Sequence, residues 1–481
     1  MSTIDAKDIL KILGAILLVI SVFFIVCIPV ALYYSEPITP FIYSFIITII
    51  PGVILYFIIR HPINTAISAR EGYLSVTLSW IILTLSGLLP YFISGASTDF
   101  VRTYFESVSG FTTTGSTIFP DVESMPRSIL FWRSMTHWIG GVGIILLAII
   151  ILPALKVGGY GLFVMESSVK QKAMPRTRSF ALIFLGVYTG LTVAEILLLV
   201  IGGMSLFESV CISFGTVATG GFSIRNTSLV SCTSYEQYIV AVFMFLSAIS
   251  YVLYYYLLKK DFRRIRENEE LRFYVLFTAL SVAFITIVLF LFTNRDLSTS
   301  IRHSFFQVIA QITTTGFATT DYMKWPPIGW FFMFLLLFAG GSTGSSTGGI
   351  KMARHVIILK NLKSSFLKLQ HPNAIFHIKF NGRIIPENIN ALMILFVILY
   401  LIIFVCGTIV IALTGIPINE AAGASATAMS NVGPGLGLSG NMGNFAHFND
   451  FALMAMSFLM LIGRLEVFTI LAIFTKPFWE R

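Results

Sequence analysis

Ser109-Gly110-Phe111-Thr112-Thr113-Thr114-Gly115-Ser116-Thr117 closes a half-polar segment of the chain. Related sequences close three more: Val217-Ala218-Thr219-Gly220-Gly221, Thr313-Thr314-Thr315-Gly316-Phe317 and Ser430-Asn431-Val432-Gly433-Pro434. Aligned on Gly115, Gly220, Gly316 and Gly433, they lie about 105, 96 and 117 residues apart. The segments they end, near 99–114, 205–219, 299–315 and 418–432, are too short to cross a bilayer and too apolar for ordinary loops. One Thr-Thr-Gly would read as helix packing; four at the same place in four units read as a repeat.

The surrounding chain is a membrane protein's. Of 481 residues, 56% are hydrophobic and 11% charged, and mean hydropathy is +0.85. Soluble domains carry about twice that share of charge, which excludes a soluble enzyme, and the apolar content excludes a disordered chain. Stretches long enough to span lie near 9–34, 39–59, 73–95, 128–155, 180–203, 235–258, 272–293, 327–358, 389–415 and 450–475. The first, Ile9 to Tyr34, is too long for a cleavable signal and reads as a spanning helix. With both termini cytoplasmic, 24 of the 32 Lys and Arg fall inside and 7 outside, as retention of positive charge requires. The expectation is an all-α integral membrane protein with ten transmembrane helices. A two-helix element (1–69) precedes four helix–pore loop–helix repeats at 70–178, 179–270, 271–383 and 384–481.

A half-crossing helix ending in extended backbone at membrane depth must be packed in protein or line water. Thr98 or Asp99, Ser205, Thr299 or Ser300, and Asn419 are the candidate N-caps. The negative ends of four helices would then converge on one point, where backbone carbonyls can replace a cation's hydration shell. No carboxylate lies in the four Thr/Gly-rich endings themselves; Asp99, Glu106, Glu208 and Glu420 are placed at helix starts.

Other candidates are weaker or negative. Ala339–Lys351 interrupts an apolar span with Gly340, Gly341, Gly344, Gly348 and Gly349; Ile350 before Lys351 breaks a nucleotide-binding Gly-Lys-Ser/Thr pattern. Irregular backbone there should line a cavity. Arg464, inside the last span, must face water or a carboxylate, with Glu195 as the candidate partner. Val157-Gly158-Gly159-Tyr160-Gly161 looks like a channel filter, but no short helix precedes it and it reads as a helix terminator. Cys27, Cys211, Cys232 and Cys406 show no metal spacing, and no nucleophile–base pair or His motif indicates an enzyme or cofactor. The net charge of +9 is assigned to cytoplasmic loops and membrane lipid, not nucleic acid.

SGFTTTGST (109–117), TVATGGFS (216–223), QITTTGFATTD (311–321) and SNVGPGLG (430–437), with HWIGGVGI (137–144) and GRLE (463–466), resemble the Trk/Ktr/HKT superfamily of potassium transporters. The two extra N-terminal spans and the length point to its TrkH-type bacterial branch. The resemblance implies a pseudo-fourfold, potassium-channel-like pore in the cell inner membrane. Its filter would be Thr113, Thr114, Gly115, Ser116; Ala218, Thr219, Gly220, Gly221; Thr314, Thr315, Gly316, Phe317; and Asn431, Val432, Gly433, Pro434, Gly435. Within it Thr114, Thr219, Thr315 and Val432 would be the ion-binding positions. Ser in place of the first glycine often goes with sodium selectivity in this family; Gly115 implies potassium. The resemblance also implies that the 340–349 loop and Arg464 gate the pathway, that the protein is a homodimer, and that a cytoplasmic TrkA-type nucleotide-binding subunit regulates it. The competing class is a sodium- or proton-coupled secondary transporter using Glu195 and Glu466, the acids placed well inside spans.

Overall fold

The fold is taken from a computed structural model that describes residues 5–58, 68–150 and 177–480. It is almost wholly helical, with one two-residue-strand hairpin, β1 (Lys379–Phe380) against β2 (Arg383–Ile384), among the described residues. The long helices expose apolar side chains along their outer faces: Val19, Val22 and Val26 on α1 (Ala6–Tyr33) are examples. Buried Ser, Thr and charged groups gather in the middle of the molecule instead. Apolar outside and polar inside is the pattern of a bilayer-embedded chain.

Hydrophobic length accounts for α1, α2 (Thr39–Val53, continued by a π turn over Ile54–Ile58) and α3 (Ala69–Gly87). Carboxylates clamp the first two to later parts of the chain. Glu36, in the turn after α1, accepts from the Arg127 and Ser128 N–H groups at 2.7 and 2.8 Å, capping a helix start. Glu71 does the same at the cytoplasm-assigned end, accepting from the Asp5 and Ser68 N–H groups, both at 2.8 Å.

The rest of the chain forms four units. In the first, α4 (Phe100–Phe111) is the short helix and α5 (Arg127–Ile150) the helix after it. The second runs α6 (Thr177–Ile201), α7 (Leu206–Val217), α8 (Ser234–Ser247) and α9 (Tyr251–Leu258). The third runs α10 (Glu269–Phe292), α11 (Leu297–Ile312), α12 (Pro327–Leu336) and α13 (Met352–Gln370). The fourth runs α14 (Glu387–Ala412), α15 (Ile418–Ser430), α16 (Asp450–Arg464) and α17 (Val467–Leu471). Each of α4, α7 and α11 packs on a helix of the preceding unit, α16, α5 and α8 respectively, so the arrangement closes on itself.

Among the described residues, not every expected span is a continuous helix. Six described helices are long and apolar enough to cross, and two further pairs qualify only as bent units. The break after α8 turns the chain by 92° and that after α16 by 112°. Hydropathy averaged over a span does not see these breaks, Ala248-Ile249-Ser250 and Leu465-Glu466, because the helices on both sides of each are apolar; the backbone leaves the helix to meet other units. The Ala248 carbonyl accepts from Ser342 N–H, and Glu466 adopts φ +59° while its carboxylate pairs with Arg354 at 2.5 Å.

Candidate functional site

The four short helices end alike. Thr113, Thr219, Thr314 and Asn431 each take a left-handed conformation (φ +52, +56, +54 and +55°). The next residue's N–H reaches back five residues, Thr114 to Ser109 O, Gly220 to Gly215 O, Thr315 to Ala310 O and Val432 to Thr427 O. These 6→1 bonds satisfy carbonyls that a helix end would otherwise leave orphaned. A glycine with positive φ comes one residue later: Gly115, Gly221, Gly316 and Gly433.

This register corrects the sequence alignment in the second unit by one residue. The residue equivalent to Gly115 is Gly221, not Gly220, and the position equivalent to Thr114 is Gly220 rather than Thr219. Ala218 is the counterpart of Thr112, still at the helix end, and Phe222 is that of Ser116, Phe317 and Pro434. The double glycine misleads because matching Thr-Gly by letters ignores which residue accepts the left-handed turn.

With that register the units interlock. A Cβ on Gly115 would lie 2.1 Å from Gly220 O, on Gly221 1.8 Å from Thr315 O, on Gly316 1.9 Å from Val432 O, and on Gly433 2.7 Å from Thr114 O. Each glycine therefore faces the carbonyl of the next unit, and the fourth faces the first: a closed ring of four equivalent carbonyls, with no room for any side chain between them. A cavity of about 300 Å³ lies against Gly115, Gly221, Gly316 and Gly433 on one side of the ring.

The loop ends are tied unit to unit. Ser116 Oγ donates to Gly433 O (2.9 Å), Phe445 N–H to Thr117 O (2.8 Å), Leu229 N–H to Ala318 O (2.9 Å), and Tyr322 Oη to Gly435 O (3.0 Å). Asn431 Nδ2 donates to Thr114 Oγ1 and to Met460 O, both at 3.0 Å. The acids serve this framework. Asp99 and Ser205 cap α4 and α7 as expected, but α11 is capped by Asp296 instead of Thr299 or Ser300. Pro417, not Asn419, occupies the fourth cap position, with no side-chain bond. Glu106 is not at a helix start: buried mid-helix, it accepts from Arg133 Nε (2.7 Å) and Ile118 N–H (2.9 Å). Glu208 pairs with Arg225 (2.8 Å), and Glu420 accepts from Ser439 N–H (3.0 Å) and lies 2.8 Å from His447 Nε2.

Two side chains near the ring escaped the sequence reading. Arg133, paired with Glu106, donates to Ser223 O (2.7 Å) and lies 3.5 Å from the Phe222 ring centroid. His137 Nε2 accepts from Phe222 N–H (3.1 Å), which leaves Nδ1 to donate to Gly110 O (2.7 Å), so one tautomer joins the first unit to the second. HWIGGVGI contained His137, but nothing in its spacing reveals that contact.

The interrupted segment of the third unit lies against the other side of the ring. Gly340 N–H donates to Ile350 O (2.9 Å), closing the segment's neck. Gly348 N–H donates to Thr314 Oγ1 (2.8 Å), and Ser346 Oγ donates to Val217 O (3.1 Å) and lies 3.4 Å from Thr219 Oγ1. A Cβ on Gly348 would lie 2.1 Å from Ser430 O, and one on Gly341 2.8 Å from Ala248 O; Gly344 and Gly349 have positive φ. Arg464, 3% exposed, does not pair with Glu195. It donates to Ser346 O (2.7 Å) and Gly140 O (3.3 Å), holding the segment to α5 and α16. Glu195 is buried with neither oxygen hydrogen-bonded among the described residues. The 157–161 stretch lies outside the described residues.

The fold and this axial ring define a multi-span helical membrane protein whose centre is built of backbone carbonyls, not catalytic side chains. The chain belongs to the TrkH family, described as cation transport proteins, whose profile matches residues 38–480. It is 33% identical over 99% of both chains to the Trk system potassium uptake protein TrkH of Halomonas elongata. To that of Escherichia coli K12 it is 35% identical over 98% of this chain and 99% of the relative. The crystal structure of the potassium transporter TrkH from Vibrio parahaemolyticus matches with a TM-score of 0.91 at 29% identity, covering 98% and 99% of the two chains. The family is one of transporters, not enzymes.

Proposed function

We propose that this chain takes potassium into the cell across the inner membrane, along the axis of the four-carbonyl ring. The observation that carries the reading is the closure of that ring, Gly115 to Gly220, Gly221 to Thr315, Gly316 to Val432 and Gly433 to Thr114. Carbonyls of Thr114, Gly220, Thr315 and Val432 would replace the ion's hydration shell, and four helix ends, each worth about half a negative charge, would favour a cation there. Each of the units 70–178, 179–270, 271–383 and 384–481 contributes one carbonyl. The relatives' names as potassium uptake proteins support the choice of ion.

The 340–349 loop and Arg464 form the gate in this reading. They occupy the side of the ring away from the cavity, and a fixed arginine charge on the pathway would oppose cations. Both termini are cytoplasmic, the active form is a homodimer, and a cytoplasmic TrkA-type nucleotide-binding subunit moves the gate.

Rubidium-86 uptake into potassium-loaded proteoliposomes, challenged with external potassium or sodium, tests the reading. Competition by potassium but not sodium, weakened by Gly115→Ser, is the expected result. Equal competition by sodium, or no uptake with the regulator present, would overturn it.

A further inference from the structure

Glu270 stands in the first turn of α10, 1% exposed. A single oxygen, Oε1, accepts three hydrogen bonds: from Thr343 N–H at 2.7 Å, Thr343 Oγ1 at 3.1 Å and Ala353 N–H at 2.9 Å. Thr343 begins the interrupted segment's excursion and Ala353 begins the helix after it, so one carboxylate oxygen holds both feet of the same loop. Between those feet the loop makes its contacts with Thr314, Val217 and Arg464.

A carboxylate suits this task. Charged acceptors form the stronger hydrogen bonds, and an anion set against the first turn of α13 also complements that helix's dipole at Ala353. The neighbouring residue extends the grip outward. Glu269 pairs with Lys360, on α13, and Glu269 N–H donates to Asn381 Oδ1 (2.8 Å) in the β1–β2 turn. Lys360 also donates to Lys379 O (2.7 Å), so hairpin, helix and loop meet at one helix start.

We propose that Glu270 is a positioning residue of the gate: its carboxylate pins the loop against the ring, and the Glu269–Lys360 contact passes movement of the hairpin and α13 to that pin. The inference rests on the reading of the 340–349 loop as the obstruction. Loss of the pin frees the loop without touching the carbonyl ring, so rate and selectivity separate.

The test is regulator-free rubidium uptake by Glu270→Ala, beside a variant lacking Gly344–Gly348. Loss of three charge-assisted bonds should speed uptake by about tenfold or more, with the potassium-over-sodium competition ratio unchanged. If the shortened loop speeds uptake and Glu270→Ala does not, the pin is overturned while the gate stands; if neither does, both fall. A changed competition ratio in Glu270→Ala also overturns the pin, since it would place Glu270 in control of the ring. Should Glu270→Ala not fold, Glu270→Met decides, because it keeps the volume and loses the acceptor. Ser345→Cys in that background should react faster with a water-soluble thiol reagent than in the Glu270 protein, and an equal rate overturns the pin.

Discussion

Glu106 Oε1 lies 2.7 Å from Arg133 Nε, with neither side chain more than 3% exposed, and the pair stands behind the ring between the first and second units. Its remaining capacity is used: Glu106 also accepts from Thr117 and Ile118, and Arg133 donates to Ser223 O. Removing one partner leaves the other charge buried alone, a loss of about 3–5 kcal/mol. Arg133→Ala should therefore lower the thermal midpoint in detergent by far more than an exposed change such as Lys324→Ala. Adding Glu106→Gln should recover part of the loss, as a two-variant cycle would measure.

The corrected register makes Gly221 the second unit's ring glycine. Gly221→Ser places a Cβ 1.8 Å from Thr315 O and should weaken potassium-over-sodium discrimination in uptake competition, as Gly115→Ser, with its Cβ 2.1 Å from Gly220 O, should too. At Gly220 a Cβ meets the His137 ring at 2.5 Å instead. Gly220→Ala should thus show mainly as a lower thermal midpoint, partly rescued by a smaller residue at 137.

Arg464 holds the interrupted segment through carbonyls, not through a carboxylate partner. Arg464→Gln removes the fixed charge and at least one of those bonds, and regulator-free rubidium uptake should rise by about tenfold, the effect of roughly 1.4 kcal/mol on the closed state. An unchanged rate would remove Arg464 from the gate. Glu195→Gln, by contrast, breaks no hydrogen bond of the carboxylate oxygens among the described residues and should leave potassium competition as it was.

Outside the bilayer, the Asn226 amide beside Asp121 holds that carboxyl below the usual range, helped by the Glu123 and Ser124 N–H groups. A depressed folded-state value means the stabilisation is present above the unfolded value of about 4 and is lost as pH falls through the folded one. Protection of amides in the 121–124 and 223–228 loops, measured against their intrinsic exchange at each pH, should therefore fall only on acidification below that point. Asp121→Asn should remove the pH dependence.

Much was legible from local pattern. Twenty-residue apolar windows, the sorting of Lys and Arg, and the fourfold return of a Thr/Gly-rich ending are properties of short stretches, and they define a helical membrane protein with four related units. The Asp99 and Ser205 caps were legible for the same reason, since a cap bonds within three residues. The Asp296 cap was missed because α11 begins earlier than its apolar pattern does.

What only the tertiary structure decided depends on residues far apart in the chain. Which of Gly220 and Gly221 belongs in the ring is set by Thr315 O and by Thr219's left-handed turn, not by the letters around them. The breaks after α8 and α16 arise where the backbone leaves the helix to meet another unit, and a hydropathy window is blind to that exchange. Arg464 announced by its place in a span that it needs a partner, whereas Glu106 read as a residue at a helix start and nothing in the sequence marked Glu270 as buried. The partners themselves, a carbonyl, an arginine and the two feet of one loop, are neighbours only once the four units have closed around their axis.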